Sequence, residues 1–230
     1  MTSGRRFQDF PKTGWRNRMG RRLLALKKRP AVTQFLGYQT RTPLSLPFSG
    51  EWYVYWGGRS IAQNYHAAFR EQRFAFDFMV LRNGKSHTGT GDDNADYFCF
   101  GQPVLAPGAG RVVAAGYGES DRAPGKMLTE NPLGNYVIID HGGGEFSFLA
   151  HLRQGSVTVR PGDAVIQCQP IGECGNSGHS SESHLHYHLQ TTAIPFQGDG
   201  LPAQFVTYVA NGNAIARGEP VAGQNVRNSA

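Results

Sequence analysis

Closely spaced turn signals limit the possible folds of this chain more than any other feature. The 230 residues include 30 glycines and 13 prolines, a content that favours short strands and tight turns over long helices. Turn motifs such as Pro107-Gly108, Gly142-Gly143-Gly144 and Pro161-Gly162 separate runs rich in β-branched and aromatic residues. The sequence therefore predicts an all-β fold with two layers of antiparallel sheet and an open groove across one of them.

Composition and hydropathy indicate a single globular domain. Hydrophobic residues make up 39% of the chain and charged residues 17%. No apolar run approaches the roughly 20 residues that a transmembrane helix needs, so no membrane span is predicted. We expect a basic N-terminal arm and linker over residues 1–47, a folded domain over residues 48–210, and a C-terminal tail over residues 211–230 that trails off at the surface.

The positive charge belongs to the N-terminal arm. Residues 1–30 contain ten Lys or Arg and one acid, a net +9, whereas the other 200 residues contain 13 and 16, a net −3. We interpret this segment as a flexible basic arm that can contact an anionic polymer, and nucleic-acid binding through it is an alternative. A secretory signal is not visible, because the short run Leu23–Leu26 is followed at once by Lys27 and Lys28.

The three cysteines do not form a recognisable framework. They are too few for a disulfide scaffold and lack the Cys-x-x-Cys spacing of a structural zinc site. Cys168 and Cys174 are close enough in sequence to face each other across a bend. A bridge between them in an oxidising compartment is left open.

Three histidines alternate in one predicted strand. His184, His186 and His188 share one face, and Leu185 and Tyr187 lie on the other. Buried imidazoles without partners cost desolvation free energy, and a metal ion is the simplest compensation. Imidazole nitrogen suits zinc, and a catalytic zinc takes three protein ligands and leaves one position open. A histidine ladder on a solvated strand is the alternative.

Two upstream residues can complete such a site. Residues 73–81 alternate as a second strand, which places Asp77 on the face opposite Phe76 and Phe78. His66 precedes this strand in a polar loop or a single helical turn. Two histidines and one carboxylate form an open tetrahedral zinc site, and zinc lowers the pKa of a bound water to about 7.

Residues 65–190 resemble the lysostaphin-like zinc endopeptidases, which cut peptidoglycan peptides. The matching segments follow one another in the family order, and the most specific ones lie in the second half of the chain. They are Gly101-Gln102-Pro103-Val104, Gly134-Asn135-Tyr136-Val137, Ala150-His151-Leu152, Arg160-Pro161-Gly162-Asp163, Gly175-Asn176-Ser177-Gly178 and His184-Leu185-His186-Tyr187.

The resemblance implies a role for each of these histidines. It makes His186 a ligand, with His66 and Asp77, of one Zn²⁺ per chain, and it makes His151 and His184 the catalytic pair. It also implies a monomeric zinc metalloendopeptidase of the cell envelope, periplasmic or secreted, that hydrolyses peptidoglycan stem or cross-bridge peptides. The alternative is a catalytically inactive relative that binds cell wall or activates a cell-wall amidase.

The sequence departs from the family at the first two ligands. The usual pattern is His-x-x-x-Asp shortly before the Gly-x-Pro-Val segment, but His66 and Asp77 are eleven residues apart. The rival assignment is His87 with one of three nearby acids. We prefer His66 and Asp77 because a strand holds a ligand rigidly, whereas residues 83–96 are typical of a mobile loop. His188 is expected either to steady His186 or to face the cleft. The three rival acids are Asp92, Asp93 and Asp96.

Overall fold

A computed structural model describes residues 29–127 and 130–229. Within these residues the regular structure consists of thirteen strands and three short 3-10 helices, at Phe35–Gly37, Tyr65–Ala68 and Asn94–Asp96, and the all-β prediction is confirmed. The strands are β1 (Trp52–Trp56), β2 (Phe76–Met79), β3 (Pro103–Leu105), β4 (Gly110–Gly116), β5 (Asn135–Asp140), β6 (Phe146–Leu152), β7 (Ala164–Val165), β8 (Pro170–Glu173), β9 (Leu185–Gln190), β10 (Gly200–Leu201), β11 (Phe205–Ala210), β12 (Asn213–Gly218) and β13 (Asn225–Asn228).

Eleven of these strands form one antiparallel sheet. Its order is β12-β11-β13-β1-β2-β9-β6-β5-β4-β7, and β10 pairs with β9 outside this path. The strands β3 and β8 form a separate two-stranded antiparallel sheet. The strands β2 and β9 are therefore central neighbours, although they lie far apart in sequence.

The main core covers one face of the large sheet. Alternate residues of β2, β6 and β9 are apolar on this face, among them Phe76, Leu149 and Tyr187, each at most 1% exposed. Val104 of β3 and Ile171 of β8 belong to the same buried cluster, so the small sheet is the second layer over this core. Full burial of one such large apolar side chain contributes roughly 1.5–3 kcal/mol.

The opposite face of the sheet centre is polar. It carries the histidines of β9 and Asp77 of β2, beside a small apolar cluster that includes Ile138, Phe148 and Ala150. The alternation seen in the sequence therefore separates the core from a buried polar site.

Both ends of the predicted domain differ from the structure. Residues 211–230 were expected to be a tail, yet β12 and β13 lie within the large sheet, and β13 separates β11 from β1. At the other end, Leu44 and Leu46 of the expected linker are completely buried. These segments escape prediction because each buries only one or two apolar side chains, such as Val226 in β13.

The structure contains no disulfide bond among the described residues. All three thiols are free, and the bridge left open between Cys168 and Cys174 is not formed, because Cys168 is exposed beside Ser45 while Cys174 is buried in the core. Among residues 29–127 and 130–229, no helix is long and apolar enough to cross a bilayer. The basic residues of positions 1–28 lie outside the described residues.

We predict that Val226→Ala lowers the free energy of unfolding by about 1–3 kcal/mol, because it removes buried methyl groups and leaves a cavity beside β1. Arg227→Ala on the same strand is the control, since Arg227 is exposed and should change stability by less than about 0.5 kcal/mol. Urea unfolding of the full chain measures both values. Equal stability of the two variants would mean that residues 211–230 behave as a dispensable tail.

Candidate metal centre

Three side chains converge on the polar face of the sheet. His66, Asp77 and His186 each offer a ligand atom, and these atoms all lie within 4.8 Å of one another. Across the described ranges this is the one group of three or more His, Cys, Asp and Glu side chains with such spacing. The ligands predicted from the sequence are therefore brought together, and each residue is at most 3% exposed.

The register between β2 and β9 places two of these residues side by side. Asp77 pairs directly with His186, and opposed side chains on one face of a sheet have Cβ atoms about 4.5–5.5 Å apart. His186 Nδ1 lies 2.9 Å from Asp77 Oδ1. His184 Nε2 lies 3.6 Å from the same oxygen.

A buried asparagine fixes the third residue. Asn64 caps the 3-10 helix, where its Oδ1 accepts a hydrogen bond from the backbone N–H of His66 at 3.1 Å. Its Nδ2 donates to the carbonyl oxygens of Gly58 and Ala75, at 3.1 and 2.9 Å, which ties the helix to the start of β2. His66 Nε2 then lies 3.0 Å from Asp77 Oδ2.

Asp77 is a fully buried carboxylate surrounded by imidazoles. Burial alone would raise its pKa, but His66, His184 and His186 outweigh this effect and hold the pKa well below its ordinary value. In the described part of the chain its ion-pair partners are these three histidines, with no lysine or arginine among them. Two imidazole nitrogens and one carboxylate oxygen are the donor set of a catalytic zinc, so the residues fit that ion.

A β-bulge turns His151 towards this group. The register of β5 and β6 shifts so that Ala150 and His151 together stand opposite Tyr136. Strict alternation would point His151 into the core, but the bulge and a φ of +63° place its ring 4.8 Å from the ring of His184, between centroids. A non-glycine residue in this region is strained, and such strain clusters at functional sites.

Two glycines allow the contact that orients His151. Its Nδ1 lies 2.9 Å from the carbonyl oxygen of Ser177. A Cβ on Gly178 would lie 2.4 Å from the backbone nitrogen of Gly134, and one on Gly134 would lie 2.4 Å from Ser177 Oγ. Only glycine lets the loop and the start of β5 approach so closely, and Gly178 also has a φ of +77°.

Carbonyl acceptors orient His151 and His184, the pair predicted to be catalytic. His184 Nδ1 lies 2.8 Å from the carbonyl oxygen of Glu182. His151 Nδ1 has the corresponding contact with the carbonyl oxygen of Ser177, at 2.9 Å. A carbonyl only accepts, so each Nδ1 carries a proton, and the neutral ring has an unprotonated Nε2. Burial lowers the pKa of His151 well below its ordinary value, and His184 and His186 lower it further. The arrangement provides two imidazoles that can accept a proton beside the candidate metal ligands.

Several supporting residues were missed by the sequence analysis. Gln72 Oε1 lies 3.1 Å from His66 Nδ1, and Gln190 Oε1 lies 3.2 Å from His188 Nε2. Gln190 continues the two-residue alternation of the histidines, which is the signal that could have found it. Gln72 and Asn64 lie in irregular segments, where no periodic pattern marks them.

The rival ligands are not assembled into a comparable group. His87 Nδ1 contacts the carbonyl oxygen of its neighbour Thr88 at 3.0 Å. Asp93 caps the 3-10 helix at Asn94–Asp96, where it accepts from the backbone N–H of Ala95, and Asp96 completes the capping box. Two of the loop acids therefore stabilise local backbone structure. The geometry favours His66 and Asp77.

Residues 90–197 match peptidase family M23. The matched residues include His151, His184 and His186, whereas His66 and Asp77 precede them. The predicted resemblance to lysostaphin-like peptidases is confirmed at this level.

Curated proteins that are similar to this chain match only part of it. The chain is 36% identical to the peptidoglycan DD-endopeptidase ShyA of Vibrio cholerae over 96 residues. These residues make up 41% of this chain and 19% of ShyA. It is 32% identical to the peptidoglycan DD-endopeptidase ShyC of the same organism over 111 residues, and these make up 48% of this chain and 21% of ShyC. The matches thus span about a fifth of the length of either relative.

Among solved structures, lysostaphin from Staphylococcus simulans is similar to the chain. The TM-score is 0.42 at 20% identity, with 71% of this chain and 52% of lysostaphin covered.

We predict that Gly178→Ala lowers the free energy of unfolding by about 1–3 kcal/mol more than Gly118→Ala, because the added methyl group collides with Gly134. Both glycines have positive φ, at +77° and +78°, but nothing lies within 4 Å of a Cβ on Gly118. Gly118→Ala therefore has the same backbone strain as Gly178→Ala, but its added methyl group meets no neighbouring atom. Thermal or urea unfolding measures the difference, and equal losses would contradict the close-approach explanation.

Proposed function

We propose that this chain is a zinc-dependent endopeptidase. The observation that carries the proposal is the convergence of His66, Asp77 and His186, from three separate elements, within 4.8 Å of one another. His184 Nε2 lies 3.6 Å from Asp77 Oδ1, the ring of His151 lies 5.7 Å from that of His186 between centroids, and the M23 match covers both residues. Structural clusters of buried histidine do not need a second pair of oriented imidazoles, whereas hydrolysis of a peptide needs groups that accept and return a proton.

The proposed roles follow from the atoms that each residue presents. When bound, the zinc ion would polarise the scissile carbonyl and activate water as the nucleophile. His66 Nε2, an oxygen of Asp77 and His186 Nδ1 would hold it. The unprotonated Nε2 atoms of His151 and His184 would take a proton from the attacking water and, once protonated, stabilise the tetrahedral oxyanion. The same atoms would deliver the proton to the leaving amine.

We propose peptidoglycan as the substrate class. ShyA and ShyC are both named peptidoglycan DD-endopeptidases, and the motifs shared with lysostaphin-like enzymes agree with them. An extended stem or cross-bridge peptide can pair with the backbone of a strand near the site. The proposal includes action as a monomer in the cell envelope, periplasmic or secreted. The basic residues 1–30 would contact an anionic wall polymer.

The first test is metal dependence. Purified protein is expected to contain about one equivalent of zinc per chain and to hydrolyse purified peptidoglycan. A chelator should abolish the hydrolysis, and added Zn²⁺ should restore it. Metal analysis and release of soluble peptide fragments provide the two measurements. Zinc-free protein that binds cell wall without hydrolysing it would instead favour the inactive binding or activator module.

The second test separates ligands from catalytic residues. His186→Ala should lose both zinc and hydrolysis, because it removes one of three ligands. His151→Ala should retain zinc and lose hydrolysis by about 10²- to 10⁴-fold, the usual contribution of a general acid or base. Zinc content and hydrolysis rate are measured on the same preparations.

His87→Ala is the matched histidine control. It should keep both zinc and hydrolysis, since His87 lies outside the cluster. Loss of zinc in His87→Ala, with zinc retained in an Asp77→Ala variant, would move the ligands to the loop of residues 83–96. Loss of zinc in His151→Ala would mean that His151 is itself a ligand.

A further inference from the structure

A row of hydrogen bonds leads away from the candidate metal ligands along β9. His186 Nε2 lies 3.0 Å from His188 Nδ1, and His188 Nε2 lies 3.2 Å from Gln190 Oε1. Gln190 Nε2 lies 2.6 Å from the carbonyl oxygen of Thr192 and 3.0 Å from that of Ile194. The three β9 residues are at most 3% exposed, so water does not compete for these bonds.

The far end of this row fixes the direction of each bond. Two backbone carbonyls face one end of the Gln190 amide, and carbonyls only accept hydrogen bonds. The amide must therefore present its NH₂ group to Thr192 and Ile194 and its oxygen to His188. An oxygen accepts, so His188 Nε2 must be the donor.

The same argument continues to His186. A neutral imidazole has one N–H, so His188 with a proton on Nε2 has an unprotonated Nδ1. That atom accepts, so Nε2 of His186 must donate to it. The Nδ1 of a neutral His186 is then an unprotonated lone pair that faces Asp77 Oδ1 at 2.9 Å. Two acceptors at this distance repel each other unless a metal cation or a proton lies between them.

We infer that His188 and Gln190 are positioning residues that set the tautomer of His186 and keep its Nδ1 free for a divalent metal ion. The inference rests on the proposed function for the identity of the ion. The tautomer is deduced from the bonds that His188 and Gln190 make, whereas the Asp77 contact taken by itself would favour a proton on Nδ1 of His186. Phe148 stacks on His188, with centroids 4.5 Å apart and an interplanar angle of 16°, and this contact holds the ring in the plane that both bonds require.

The first experiment determines the tautomer without any metal. The full chain, labelled with ¹⁵N-histidine and stripped of metal with a chelator, is examined at neutral pH by long-range ¹H–¹⁵N correlation, with the His186 and His188 signals assigned through single variants. We expect the proton of both rings on Nε2. A proton on Nδ1 of His186, donated to Asp77, would overturn the inference whether or not the protein is an active peptidase.

The second experiment breaks the row at its far end. Gln190→Leu removes the acceptor that orients His188, while the neighbouring ligands stay in place. The proton of His186 should then move, at least in part, to Nδ1, and the Zn²⁺ dissociation constant should rise about 10- to 100-fold, as for other residues that orient a metal ligand. Chelator competition measures the constant. An unchanged tautomer and affinity in a folded Gln190→Leu protein would also overturn the inference.

Two further variants distinguish this role from simple packing. Thr191→Ala loosens the same turn, because it removes the 3.0 Å bond from the backbone N–H of Asp199 to Thr191 Oγ1, but it leaves the row of bonds intact. It should lower thermal stability and preserve the His186 tautomer. His188→Gln retains one acceptor and one donor, so it should keep more Zn²⁺ affinity than His188→Leu. If Thr191→Ala moved the tautomer, or if the two His188 variants were equal, packing alone would explain the row.

Discussion

The buried carboxylate of Asp77 is the group on which the polar half of this structure depends. It lies at the centre of the sheet, where β2 and β9 pair through Asp77 and His186. A slip of one residue in this register would bring Tyr187 to the site and send the imidazoles into the core. The apolar face prevents the slip, because Phe76 and Tyr187 are buried in the main core. The core thus determines which oxygen and nitrogen atoms meet on the other face.

The imidazoles around Asp77 share one design. Each is bonded through the ring nitrogen that faces away from the centre. His151 and His184 use backbone carbonyls, His66 uses Gln72, and His186 uses His188. A neutral ring that donates outwards presents a lone pair inwards. Several lone pairs directed at one carboxylate form a site that is electrostatically incomplete without a cation or protons, which is the condition that a metal centre meets.

The sequence could predict those parts of the site that obey a strand period. Alternation places His186 and Asp77 on the face away from the aromatic core, and both are found there. His151 breaks the period, because a bulge and a positive φ turn it out of the core face, and only the family resemblance pointed to it. Gln72 lies in an irregular segment, and no local sequence pattern predicts that its side chain contacts His66.

The C-terminal strand β13, in the segment predicted to be a tail, supports the site through β1 and β2. Asp77 lies on β2, whose two neighbours are β9 and β1. The strand β1 is in turn covered by β13, with Trp52 paired to the buried Val226. Without β13, β1 would be an edge strand with unpaired backbone groups. A chain that ended at residue 210 would therefore leave one of the two supports of the Asp77 strand at an open edge. For this reason the hairpin of β11 and β12 and the strand β13 belong to the structure that positions the candidate metal ligands.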